Sequence, residues 1–293
     1  MKKFVVPALS LALCLGLVTG CSSKTSAPET SATETTAANG SESAASESAE
    51  STEPKAVDSL KIAFSPYADA DTITTATEPL ENLLKEELLT KGYDVADIDM
   101  TVGTSYTAVG EALSAGSADI GFISGGNYVL FSDDCDVLLT ALRYAINKDS
   151  EDPKGWNDGT IEENTDAMST YYRSIILAGP SAKGQELLAK VNNGEELTWD
   201  DLNSATWAVM GPTSASGYIY PSLWLQERYG KTIADLDNAV QSDSYTTSLA
   251  RLASGQADVM VSFGHIRTKN AKDWKEKLGG TDEMVNQTGI IGV

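Results

Sequence analysis

Two stretches of the chain repeat one another at fixed spacing, and that repeat limits the possible folds more than any overall composition does. Ser105-Tyr106-Thr107 leads through Leu113, Gly116, Ala118 and Asp119 to Ile120, and Ser244-Tyr245-Thr246 leads through Leu252, Gly255, Ala257 and Asp258 to Val259. Each copy has the grammar of a helix followed by a strand: a Ser to accept a free N–H, an apolar body, a Gly to end the helix, and a short apolar run to bury. Two such units predict two α/β lobes of similar build. Each copy also sets a Tyr at a helix N-terminus, beyond the C-terminal ends of strands, where open α/β sheets bind ligands.

Around the repeat, strand and helix patterns alternate, which predicts a parallel α/β sheet. Residues 60–64 read as a strand and 65–74 as a polar loop. Thr75 and Glu78 then form a capping box with Pro79 early in a helix over 80–90, and Lys91-Gly92 stops it. Further strands are expected at 98–102, 119–123, 137–143, 172–177, 207–210, 239–241, 258–263 and 289–293. Helices are expected at 107–115, from Ser124, at 181–191, up to Gly230, at 245–253 and from about His265. Residues 148–169 carry Pro153, Gly155, Trp156 and Gly159 and read as a surface excursion rather than core, and 197–201 as a loop. The arrangement implied is a lobe over 57–170 and a second over 171–285, joined near Ala145 and Tyr171 and closing on a ligand by a hinge.

The run over 207–230 says most about function. A short apolar strand passes through Gly211-Pro212 into Thr213, Ser214 and Ser216, and Gly217 allows close backbone approach at the start of a helix. The first N–H groups of a helix have no internal partner and carry partial positive charge, so hydroxyls beside them make a cradle for a small oxyanion. From this run alone an ordinary Ser/Thr cap on a core helix is an equal alternative.

The first twenty residues have Lys2 and Lys3 before an apolar stretch over 4–18, the pattern of a secretory signal peptide. Leu17-Val18-Thr19-Gly20-Cys21 resembles a bacterial lipobox, which makes Cys21 the expected lipidation site and anchors the protein to the extracytoplasmic face of a membrane. Residues 21–56 are rich in Ser, Thr, Ala and Glu and are expected to form a disordered tether. Cys135 is then the one thiol in the folded part, so no intrachain disulfide is expected there. A formal net charge of -21 argues against nucleic acid as a partner and against long-range attraction of anions. Selectivity for an anion has to come from short-range donors.

Enzymatic constellations are missing. There is one histidine, His265, and no His-Glu-x-x-His, Cys-x-x-Cys or Gly-x-Ser-x-Gly pattern. Asp69/Asp71 and Asp133/Asp134 lack the spacing of a calcium loop. No cofactor, no metal and no catalytic role are expected.

From about Leu60 to Val293 the sequence resembles the phosphonate, phosphite and phosphate branch of ABC-importer solute-binding proteins, with the two-lobed type II periplasmic-binding-protein fold. The resemblance rests on Ser65-Pro66-Tyr67, Ser105-Tyr106, the run over 118–125, Tyr172-Arg173-Ser174 and above all Pro212-Thr213-Ser214-Ala215-Ser216-Gly217. It implies that Thr213, Ser214 and Ser216 grip the anion and that Tyr67, Tyr106 and Ser124 complete the shell; Gly125, Tyr172, Tyr245 and His265 are further expected ligand contacts, the Tyr245 hydroxyl meeting the far side of the ligand. The partners implied are a small anionic ligand and an ABC permease and ATPase, with the protein a monomer. A sensing ectodomain for an oxyanion or sulfonate shares these features. Family members often carry His at the position of Tyr245 and a carboxylate near that of His265, so an aminoalkyl phosphonate is disfavoured. Type II proteins return to their first lobe, so residues 286–293 are expected to begin that crossover and the chain to be a C-terminally truncated copy.

Overall fold

The computed structural model describes residues 53–293. The signal peptide, Cys21 and most of the tether therefore lie outside the described residues.

The first lobe is a three-stranded parallel sheet of order β2-β1-β3, from β1 (Lys55–Phe64), β2 (Tyr93–Val102) and β3 (Ile120–Phe122). Its helices are α1 (Ala70–Thr90), α2 (Tyr106–Ser114) and α3 (Gly125–Phe131). Ile62, Phe64, Ile73, Val95 and Ile98 form its core beneath α1. α1 begins about ten residues before the expected body, and Pro79 sits inside it. The reason is local: Asp69 accepts from the Thr72 amide at 2.9 Å and from its hydroxyl at 2.7 Å, and fully buried Ile73 pins the first turn. The Thr75 and Glu78 capping box is not used.

Residues 137–143 were expected to form a strand and do not. They are irregular, with Leu138 and Leu139 exposed, and a strand starts only at Arg143. β4 (Arg143–Ile146) pairs antiparallel with β5 (Glu163–Ser169) in a separate two-stranded ribbon. Between them the expected surface excursion is largely exposed, but it sends one large side chain into the core. Trp156, in a short 3-10 helix, is fully buried and donates from Nε1 to the Ser150 carbonyl at 2.8 Å. Asn157 matches both backbone groups of Ile290 with its side-chain amide, at 2.9 and 2.7 Å, and so satisfies a sheet edge that would otherwise be open.

The second lobe holds a five-stranded sheet of order β10-β6-β9-β7-β8. Its members are β6 (Ser174–Ala178), β7 (Trp207–Val209), β8 (Ala239–Gln241), β9 (Val259–Phe263) and β10 (Gly289–Gly292). β7, β8, β9 and β10 run in one direction and β6 alone runs against them, antiparallel to both β9 and β10, so the sheet is mixed rather than wholly parallel. Residues 286–293, expected to begin a return to the first lobe, stay with the second, where Ile290 sits opposite Leu177. Helices α4 (Ala182–Asn193), α5 (Trp199–Asn203), α6 (Tyr220–Tyr229), α7 (Tyr245–Ala253), α8 (Ile266–Glu276) and α9 (Met284–Gln287) cover the sheet. α5 replaces the loop expected at 197–201, held by a reciprocal capping box between Thr198 and Asp201. Alternation along β6 sends Ile175 and Leu177 to one face and Ile176 and Ala178 to the other, each into its own core. Among the described residues no helix is long and apolar enough to cross a membrane.

Candidate ligand site

Strand β7 ends at Val209, and the chain turns through Gly211, whose carbonyl accepts from the Ser214 amide at 3.0 Å. Residues Ala215–Ile219 then form a π-type turn that runs into α6, with Ile219 N–H donating to the Ser214 carbonyl at 3.1 Å. The N–H groups of Ala215, Ser216 and Gly217 fall in the first turn, where a helix supplies no acceptor. Gly217 is required here: a Cβ would come within 2.6 Å of Met210 Cβ and 2.8 Å of Ser214 Oγ.

The Ser214 side chain makes no capping bond. Its hydroxyl lies 3.0 Å from the Tyr245 hydroxyl, which is also 2.9 Å from Ser216 Oγ, and all three residues are buried. Beside them Thr213 Oγ1 is buried with no partner. The equal alternative, a Ser/Thr cap on a core helix, thus loses its main support, because these hydroxyls turn toward a phenol and not toward the helix amides. The other helices at this end cap themselves: Ser105 accepts from Ala108 N–H, Ser124 from Asn127 N–H and Ser244 from Thr247 N–H, each at 3.1 Å. Tyr245, expected to meet the far side of the ligand, bonds directly to Ser214 and Ser216, at the start of the helix that Ser244 caps.

The first lobe meets this cradle directly. Ser124 Oγ donates to the Thr213 carbonyl at 2.7 Å, and the Tyr245 amide reaches the Tyr67 carbonyl at 3.4 Å. At Gly126 a Cβ would stand 2.8 Å from the Thr213 carbonyl oxygen and against Ile219 Cδ1, whereas at Gly125 it would meet nothing. Burial raises the Tyr106 phenol far above its ordinary value, and the phenols of Tyr245, Tyr172 and Tyr67 add to the rise while Ser214 eases it. The Tyr245 phenol is pushed up to about 12, again first by burial, with Ser214 and Ser216 opposing. Four tyrosines from two lobes therefore share one neighbourhood, Tyr67 and Tyr172 being the more exposed.

His265 is placed apart from this group. It is buried before α8, with Nε2 2.9 Å from the Tyr144 carbonyl oxygen and no hydrogen bond to the cradle, and burial holds its pKa below the usual imidazole value. Arg143 lies over the Tyr172 ring at 4.3 Å. Arg173 is held by Asp149 at 2.8 Å and Glu151 at 3.4 Å, which takes it out of contention as an anion contact. Sequence reasoning overlooked Gly126 and Phe263; the latter packs edge-on to both Tyr172 and Tyr245, at 6.3 and 5.1 Å, and so couples the two phenols. Its position at the C-terminal end of β9 was the available signal. Among the described residues no group of three or more His, Cys, Asp or Glu is placed to hold a metal ion.

Two α/β lobes with a hydroxyl-lined contact between them define a two-lobed solute-binding protein. Residues 62–286 match a profile of the family described as ABC transporter, phosphonate, periplasmic substrate-binding protein, and the chain belongs to that family. It is a family of solute-binding proteins, not enzymes. Among solved structures, a binding protein component of an ABC phosphonate transporter from Pseudomonas aeruginosa aligns with TM-score 0.52 at 13% identity over 80% of this chain. PhnD1 from Prochlorococcus marinus, solved in complex with methylphosphonate, aligns with TM-score 0.54 at 14% identity, also over 80% of this chain. At such identity they show the fold alone. The chain spans 64% of the first neighbour's length and 71% of the second's. No curated protein matches the sequence.

Proposed function

We propose that this protein is the extracytoplasmic solute-binding component of an ABC importer and that it takes a small phosphorus oxyanion, phosphonate or phosphite before phosphate, between its lobes. The observation that carries this reading is the buried hydroxyl knot of Ser214, Ser216 and Tyr245 beside the partnerless Thr213 hydroxyl, at a helix start that no side chain caps. A tetrahedral oxyanion needs several donors converging from different directions, and hydroxyls with first-turn amides supply them. Phosphorus, rather than sulfur, is supported by family membership and by the methylphosphonate in the Prochlorococcus marinus neighbour. Ser124 and Tyr67 would close over the ligand from the first lobe, and Tyr106 would complete the shell. In this reading Cys21 carries the lipid anchor and a permease with its ATPase receives the ligand. The test is calorimetric titration of phosphite, methylphosphonate, 2-aminoethylphosphonate, phosphate and taurine. Binding of phosphite or methylphosphonate is expected; an amino acid or sugar binding while none of the five does would defeat the assignment.

A further inference from the structure

We propose that the cleft selects the singly charged, protonated form of its phosphorus oxyanion. The inference rests on the functional reading above and adds the ligand's charge state. Its ground is the chemistry of the donors. Among the described residues, no Lys, Arg or His side chain hydrogen-bonds to Ser124, Thr213, Ser214, Ser216, Tyr106 or Tyr245. The titratable groups around the knot, taken element by element, are Tyr67 before α1, Tyr106 at the start of α2, Tyr172 before β6 and Tyr245 at the start of α7; His265, before α8, faces Tyr144, Arg143, Glu163 and Lys269 instead. Arg143 of β4 reaches this group only through the face of the Tyr172 ring, and Arg173 is engaged by Asp149 and Glu151. The groups that set the proton affinity of the two buried phenols are other phenols and serines, with no cation among them.

A second negative charge in such a place has nothing to neutralise it. Removing an ion from water is repaid only by good pairing, and the helix dipoles that could help are weak and local. Three of the four helix starts already give an N–H to their own serine, which leaves the uncapped turn after Ser214 as the main source of free amides. Hydroxyls, by contrast, fit a protonated oxyanion well. In both contacts of the Tyr245 hydroxyl either oxygen can be the donor, so a serine that gives its proton to P–O⁻ or accepts one from P–OH keeps its partner by reversing the bond. The chain's net charge of -21 works in the same direction.

The experiment is calorimetric titration of methylphosphonate and chloromethylphosphonate into the wild-type protein from about pH 5 to about pH 9. The electron-withdrawing chlorine lowers the second ionisation of the latter ligand. Affinity is expected to be flat below each ligand's second ionisation and to fall about tenfold per pH unit above it, with the break earlier for chloromethylphosphonate and about one proton taken up per ligand bound on the falling limb. Affinity that is constant or rises through the ionisation overturns the proposal, and so does a break at one pH for both ligands, which would belong to a group on the protein. In either case the anion site itself would stand. No binding of either ligand at any pH would overturn the functional reading and this inference with it.

Discussion

Replacing Gly126 by Ala tests how closely the lobes must meet. The added Cβ would stand 2.8 Å from the Thr213 carbonyl oxygen, where ordinary contact begins at 3.4 Å, so the lobes must separate by about 0.6 Å at this point. That distance is decisive for the neighbouring bond. Ser124 Oγ lies 2.7 Å from the same oxygen, and the same displacement would carry it to about 3.3 Å, beyond the usual O–H···O range. Loss of the bond costs about 0.5–1.5 kcal/mol and relief of the overlap about 1–3 kcal/mol, all of it in the closed form. In the open form the change is neutral or favourable, since Ala in a helix is better than Gly by roughly 0.5–1 kcal/mol. Affinity for methylphosphonate should therefore fall by about tenfold to about a thousandfold, with thermal stability in the absence of ligand unchanged or slightly raised. Calorimetry and small-angle scattering with saturating ligand would read the two effects. A variant that binds as the wild type does and contracts to the same radius of gyration would refute the claim that closure brings α3 onto the Thr213 turn.

Two more outcomes follow from the buried groups. Tyr245→Phe deletes a hydroxyl held by both Ser214 and Ser216, so unfolding should become easier by about 1–3 kcal/mol, a fall in Tm of several degrees; an unchanged Tm would mean that the knot is not formed. His265 is the only histidine, and its folded-state pKa is depressed by burial, so the unfolded chain binds the proton first. Stability should be fully present above about pH 6.5 and be lost as pH falls through the folded value, and His265→Gln should flatten that decline; Asp201, lowered to about 2 chiefly by Lys190, acts only at more acid pH.

Much of this architecture can be read from local signals. Ser105 and Ser244 cap their helices as the repeat requires, and Gly116 and Gly255 take φ of 66° and 73°, which accounts for glycine at both. The Thr-rich start of α1 reads as a polar loop because β-branched residues have low helix propensity, and what decides it is one Asp cap and one buried Ile. The burial of Trp156 and the pairing of Asn157 with β10 depend on contacts more than a hundred residues distant, which no periodicity encodes. The direction of β6 is likewise invisible, since a fully buried strand has the same apolar pattern whichever way it runs. In the site, the hydroxyl-rich turn was legible as a cluster of residue types, while the Tyr245 hydroxyl between two serines was not, for it is made by folding two distant helix starts together.

The most direct measurement of the central claim is the affinity of Ser214→Ala for methylphosphonate relative to wild type. Ser214 lies in the knot without capping its helix, so its loss should leave the fold intact while removing one charge-assisted hydrogen bond, of about 1.5–3 kcal/mol. The account predicts binding weaker by roughly ten- to a hundredfold with an unchanged far-ultraviolet circular dichroism spectrum. Wild-type affinity in the variant would contradict it and would place the anion away from the turn that joins β7 to α6.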